Sequence, residues 1–217
     1  MYLPPAFRED RIEVLHTAIR ELAFASLVTH GPDGLDASHI PLHLLPQPGP
    51  LGTLIGHVAR ANPQWREARS LPALAIFLGP HAYVSPDWYP NKQATGADVP
   101  TWNYIAVHVH GTLERIDDPA AVRDMLERLT DQHEAARPRP WHVSDAPADT
   151  IDQQQRHIVG LRLTITRLEG KWKLSQNRNA ADREGARAGL AASIHARERA
   201  VADAMAEAFL ERPSHDA

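Results

Sequence analysis

The chain contains no cysteine in its 217 residues. That absence excludes disulfides, thiolate-bound zinc, iron–sulfur clusters and a cysteine nucleophile, and it points to a reducing compartment. Long apolar runs are missing as well. The longest are strand-sized pieces such as Leu74–Leu78, far short of the roughly 18 residues of a membrane helix. The opening Met1-Tyr2-Leu3-Pro4-Pro5 has neither the basic nor the apolar region of a secretory leader, so a cytoplasmic protein is expected. Positive charge is in short supply: 23 Lys+Arg stand against 27 Asp+Glu, a formal charge of -4, which argues against a broad nucleic-acid-binding surface. No G-x-G-x-x-G follows a strand pattern and no G-x-x-x-x-G-K-[ST] occurs, which removes the Rossmann and P-loop readings. No internal repeat is present. What remains, 43% hydrophobic and 23% charged residues, is the composition of a folded globular chain, and the length suits a single domain over residues 1–217.

The patterning that is present alternates between two periods. Ile12, Leu15, Ile19 and Leu22 mark one face of a helix, with Asp10 and Glu13 spaced as a capping pair at its start. Residues 23–30 read as a strand and Gly31-Pro32-Asp33-Gly34 as a turn. Ile40, Leu42 and Leu44 then alternate with His39, Pro41 and His43. Pro41 has no N–H to give a ladder, which predicts an edge strand or a bulge. A third strand ends at Gly56-His57-Val58, and Pro63 suits the first turn of a short helix. Strands over 73–78 and 105–113, a helix from Pro119 to about Glu134, a loop over 135–150 anchored by Trp141, and a strand through Leu161, Leu163 and Ile165 follow. Two helices close the chain over about 180–212, the last with Ile194, Val201, Met205 and Phe209 on one stripe. Six or more strands with peripheral helices predict a mainly β, α+β fold built on a barrel.

Three stretches are too polar and too aromatic to serve packing alone. They are Gly56-His57-Val58-Ala59-Arg60-Ala61-Asn62-Pro63-Gln64-Trp65, Tyr83-Val84-Ser85-Pro86-Asp87-Trp88-Tyr89-Pro90-Asn91-Lys92, and Val99-Pro100-Thr101-Trp102-Asn103-Tyr104. Together with Lys173-Leu174-Ser175-Gln176-Asn177-Arg178 and the opening Met1–Phe7, they resemble the signature of the PaiB family of FMN-binding negative transcriptional regulators, in the same order and over nearly the whole chain. That family is similar to the pyridoxamine 5′-phosphate oxidase group. The resemblance implies a split β-barrel, a homodimer and FMN held at the subunit interface.

FMN carries a phosphate, a flexible chain and a flat ring with a polar edge, so its site needs fixed cations at one end and flat or apolar walls at the other. Arg60, just before the helix start at Asn62-Pro63, is the leading phosphate candidate. Lys92 and Ser85 come next; for Arg60 the plainer role is a surface ion pair. Trp88, Trp102 and Tyr104 could flank the ring, with His57 or Asn103 on its polar edge, although such aromatics are as readily core or interface residues. Strand alternation puts Trp102 and Tyr104 on one face and Asn103 on the other, so Trp102 and Asn103 meet a single ligand only if the chain bends or two subunits share the site. The resemblance also brings Lys173, Gln176 and Asn177 toward the flavin; their residues alone describe a polar turn.

The thirteen histidines yield no metal motif. His108 and His110 share a strand face, where His39 or His43 would have to supply a third ligand. Three functions stay open: a flavin protein acting as a regulator, a flavin-dependent oxidoreductase acting on a small molecule, and a binder of another flat ligand such as haem. Direct DNA contact is disfavoured by the negative charge, the absence of a helix-turn-helix pair and a thin basic series, Lys171, Lys173, Arg178, Arg183 and Arg187.

Overall fold

The computed structural model describes residues 1–66, 68–90, 96 and 98–211, with side chains described as far as residue 208. Leu15 and Ile19 lie one turn apart on the buried face of helix α1 (Ile12–Leu22), each contributing about 1.5–3 kcal/mol on leaving water. The start of α1 departs from expectation. Arg11 is the N-cap residue and no side chain caps it, while Asp10 lies 4.0 Å from the Arg8 guanidinium instead.

Seven strands are described: β1 (Arg8–Glu9), β2 (Phe24–Gly31), β3 (Gly34–Leu45), β4 (Thr53–Ala59), β5 (Arg69–Val84), β6 (Thr101–Ile116) and β7 (Ile158–Lys173). They pair in the order β1-β7-β4-β3-β2-β5-β6, and β7 also pairs with β6. The sheet therefore forms a ring through six strands, with β1 as a short addition, and among the described residues no long strand is left without a neighbour on either side. With its peripheral helices this is the α+β split barrel. Pro41 lies in an interior strand, not at an edge. It occupies the last pair of the β2–β3 ladder, opposite Phe24, and β3 begins its ladder with β4 one residue later, at Leu42. A proline at that hand-over removes no interior rung.

Packing divides the chain into two compact units. The first comprises Arg11–Phe77 and Val107–Leu168, the second Met1–Asp10, Leu78–Ala106 and Glu169–Ala217. In the first unit, helix α2 (Pro119–Glu134) starts with Pro119 and is capped by the Asp118 carboxylate, which accepts the Ala120 N–H. Its Val122, Met125 and Leu129 pack against Ile55 and Ile116. The 135–150 stretch is not anchored by Trp141, which is 45% exposed; Val143 is the buried residue there. Helix α3 (Ala148–Gln155) follows, a helix that apolar periodicity does not announce because Ile151 is its only large apolar residue.

In the second unit, helices α4 (Ala180–Ala191) and α5 (Ala196–Glu211) cover Ala82, Val84, Tyr89 and Leu174 with Ala186, Leu190, Val201 and Met205. Ile194 precedes α5 and is 87% exposed, so it stands outside the expected stripe. The side chain of Phe209 lies outside the described residues.

Candidate functional site

Each sequence candidate in the first unit belongs to β4 or the turn after it. Asn62 caps the 3-10 turn Pro63–Trp65. Its side-chain oxygen accepts the Gln64 N–H at 2.9 Å, and its amide donates to Ser38 Oγ at 2.7 Å. Gln64 is buried, and its amide donates to the Leu27 carbonyl and to Thr29 Oγ1. The Trp65 indole donates to the Arg60 carbonyl at 2.9 Å. Much of the His57–Trp65 motif therefore builds and staples its own loop. That leaves Asn62 with both ends of its amide committed, one to the turn and one to Ser38 on β3.

Arg60 is held by the same loop. Its Nε donates to the Arg156 carbonyl at 2.7 Å and its Nη2 to the Ile158 carbonyl at 2.8 Å, while its backbone N–H donates to the His157 carbonyl. The guanidinium keeps its full charge, since carbonyls do not neutralise it, and its orientation is fixed. Beside it opens a cavity of about 440 Å³ whose lining includes Arg115, Gln155 and Arg156. None of these three belongs to the motifs that sequence reading singles out; the only hint in the sequence is a run of polar residues ending in Arg156 just before a strand. His57 is half-buried, and burial lowers its pKa below the ordinary 6.5, so the ring is neutral at neutral pH. His39 is engaged with Ser26 Oγ and His43 with Gln132.

The second unit holds the remaining candidates and separates them by role. Asn103 is fully buried, its amide donating to Ser175 Oγ at 2.9 Å and reaching Met205 Sδ at 3.5 Å. Ser85 caps the 3-10 turn Pro86–Trp88 by accepting the Asp87 N–H. Trp88 lies against α4, where only glycine permits it: a Cβ at Gly189 would fall 2.3 Å from the indole, and one at Gly185 would fall 2.0 Å from the Trp88 carbonyl. Gln176 folds back on its own turn, accepting from the Leu174 N–H and donating to the Trp172 carbonyl. Asn177 is exposed. Lys92 lies outside the described residues.

Trp102, Tyr104 and Lys173 are different. Trp102 is 51% exposed and meets the Tyr83 ring edge-on at 6.2 Å and the His81 ring at 6.4 Å. Lys173 Nζ donates to Thr101 Oγ1 and to the Trp102 carbonyl, both at 2.6 Å. Tyr104 lies under the buried Lys171, whose Nζ is 5.3 Å from its ring. Burial lowers the Lys173 pKa, with the neighbouring charges of Lys171 and Arg178 adding to the effect. Alternation at the start of β6 operates as the sequence predicts, with Asn103 interior and Trp102 outside, and the inward face then shifts by one residue where Ala106 and Val107 are both buried.

The ring-like six-strand sheet, with the Arg60 loop after β4, is shared with proteins of known family and structure. The family described as "Putative FMN-binding domain" matches residues 1–167. The chain belongs to this FMN-binding family, of the PaiB type. It is 31% identical over 183 residues to Protease synthase and sporulation protein PAI 2 of Bacillus subtilis, covering 84% of this chain and 85% of that one. It is 35% identical over 231 residues to an uncharacterized protein of Aspergillus fumigatus, covering 85% and 88%. Among solved structures, the FAD and heme binding protein from Mycobacterium smegmatis superposes with a TM-score of 0.60 at 18% identity, over 82% of this chain and 79% of that chain. The flavocytochrome Anf3 from Azotobacter vinelandii gives 0.54 at 14%, over 75% and 67%. At those identities the two structures establish the fold alone.

FMN is the cofactor of this family, and the residues present suit its phosphate. Among the described residues, neither Arg60 nor Arg156 has a carboxylate within ion-pair distance, so both retain charge for an anion.

Proposed function

We propose that this chain is a dimeric FMN-binding protein that acts in regulation through its flavin rather than by contacting DNA. The observation that carries the flavin part is the pre-set, unneutralised Arg60 on the stapled loop of a family-matched barrel. Arg60 meets the phosphate. Bound FMN supplies redox chemistry at its ring, and the protein supplies charge, orientation and exclusion of water around it. His57, neutral at physiological pH, offers a hydrogen-bonding ring rather than a second cation.

The dimer is supported by the exposed ring pair of Trp102 and Tyr83, which are 51% and 45% exposed and meet edge-on at 6.2 Å. Apolar groups so grouped on a surface favour a covering partner, here a second copy. The preference for indirect regulation rests on what the thin basic series is already doing. Lys171 is buried against Tyr2, Lys173 bonds Thr101 and Trp102, Arg178 is paired with Asp98, and Arg187 is paired with Glu184. Phosphate backbones require cations that are free to meet them.

The test is mass spectrometry of the ligand released from heat-denatured protein, followed by FMN titration of wild type and Arg60→Ala. FMN in the released fraction and an affinity loss of about tenfold or more in the variant are expected. Release of haem with a Soret band, or equal FMN affinity in the two proteins, would refute the reading. In a gel shift against genomic fragments at physiological salt, tight sequence-selective binding would overturn the indirect mode.

A further inference from the structure

The cavity beside Arg60 contains more binding chemistry than the loop motif explains. Six polar residues stand in its lining: Arg60, Arg115, Asp117, Asp152, Gln155 and Arg156. Arg115 is ion-paired with Asp117, its Nη2 donating to Oδ2 at 2.9 Å, while its buried Nε, 2.5 Å from Oδ1, makes no aligned hydrogen bond. Arg60 and Arg156 have no such partner among the described residues. Asp152 on the same lining is exposed and makes no ion pair with them, so the unneutralised balance of the pocket is positive. Gln155 adds an orphan donor: its Nε2 is buried and has no acceptor among the described residues. A buried N–H without an acceptor is destabilising unless something else accepts from it.

We infer that this cavity receives the phosphate monoester of the flavin, with the Arg156 guanidinium and the Gln155 amide completing the contact that Arg60 begins. The inference rests on the FMN reading above and names residues of that site which the motifs omit. Geometry favours it in two ways. Arg60 spends Nε and Nη2 on the carbonyls of Arg156 and Ile158, which leaves its Nη1 edge for a ligand and ties it to the residue carrying the second cation. Three donors from two cations and one neutral amide suit a tetrahedral oxyanion, whose several oxygens each accept charge-assisted bonds. The volume of about 440 Å³ accommodates the phosphate with part of the chain attached to it.

Riboflavin, which shares everything with FMN except the phosphate, separates this inference from a general effect on flavin binding. FMN and riboflavin are titrated into wild type, Arg156→Ala, Gln155→Leu and Gln155→Glu, with Arg128→Ala as a control cation on the exposed side of α2. The expected result is an FMN affinity about tenfold or more lower in Arg156→Ala and in Gln155→Glu, a smaller loss in Gln155→Leu, unchanged riboflavin affinity throughout, and a wild-type control. FMN affinities within twofold of wild type in the Arg156 and Gln155 variants, alongside a loss in Arg60→Ala, would overturn the cavity assignment and leave the flavin reading standing. Parallel losses of FMN and riboflavin would make these residues supports of the fold and overturn it too. Wild type that binds neither flavin would end both readings. Inorganic phosphate that protects wild type from thermal unfolding without competing with FMN would assign the cavity to another phosphate compound.

Discussion

Asn103 Nδ2 donates to Ser175 Oγ at 2.9 Å in the interior of the second unit, with Asn103 fully buried and Ser175 4% exposed. Ser175 has φ +67°, a left-handed conformation that a hydrogen-bonded polar residue helps to hold. A pair so placed joins the start of β6 to the turn after β7. Asn103→Ala should cost about 2–3 kcal/mol in urea unfolding, from the lost bond and the stranded hydroxyl. FMN affinity per folded molecule should be unchanged. A variant as stable as wild type with weakened FMN binding would show instead that Asn103 meets the ligand.

Trp88 is seated on a glycine seam of α4, so Gly189→Leu should be severely destabilising and Gly185→Ala less so. Even the smaller change places a methyl 2.0 Å from the Trp88 carbonyl, which forces the helix to shift. Overpacking of this kind costs about 1–3 kcal/mol. Tryptophan fluorescence and the urea midpoint report it together, and an unshifted midpoint in Gly185→Ala would mean that Trp88 moves away freely.

Burial lowers the pKa of both His57 and His43 below 6.5. Below that value the unfolded chain takes up protons that the folded chain still refuses, so stability is complete above pH 6.5 and declines as pH falls toward the folded values. Urea midpoints at pH 7.5 and 5.5 should differ accordingly, and His57→Gln should shrink the difference. If the variant and wild type lost stability equally, His57 would not be the source.

Trp102 is half exposed, and its substitution by Ala should leave the protomer within about 0.5–1 kcal/mol of wild-type stability. If the aromatic cluster is the face that a second copy covers, sedimentation should show the variant shifted toward monomer. A dimer of unchanged affinity would place the interface elsewhere.

Local rules carried much of the fold into view. The α2 boundaries at Pro119 and Glu134 follow from a capped proline start and a regular apolar stripe. The inward set Ile40, Leu42 and Leu44 follows from period two. Pro41 departs from the edge-or-bulge expectation because the cost of a missing N–H depends on which neighbouring strand is paired at that residue, and pairing is decided at long range. Helix α3 escaped because its polar surface leaves almost no apolar period to read. Arg156 and Gln155 stayed unmarked for a related reason, standing about ninety-five residues from the Arg60 that they join.

By itself the sequence determined the absence of thiol chemistry, the alternation of strand faces, the loop motif around Arg60 and the family those residues belong to. Only the tertiary structure decided which polar residues are spent and which keep their chemistry. Asn62, Asn103 and Gln176 have their hydrogen bonds satisfied by the fold, whereas Arg60, Arg156 and the Gln155 amide converge on one cavity among the described residues. The distinction lies in partners brought from distant parts of the chain, since a side chain's availability depends on what surrounds it in space.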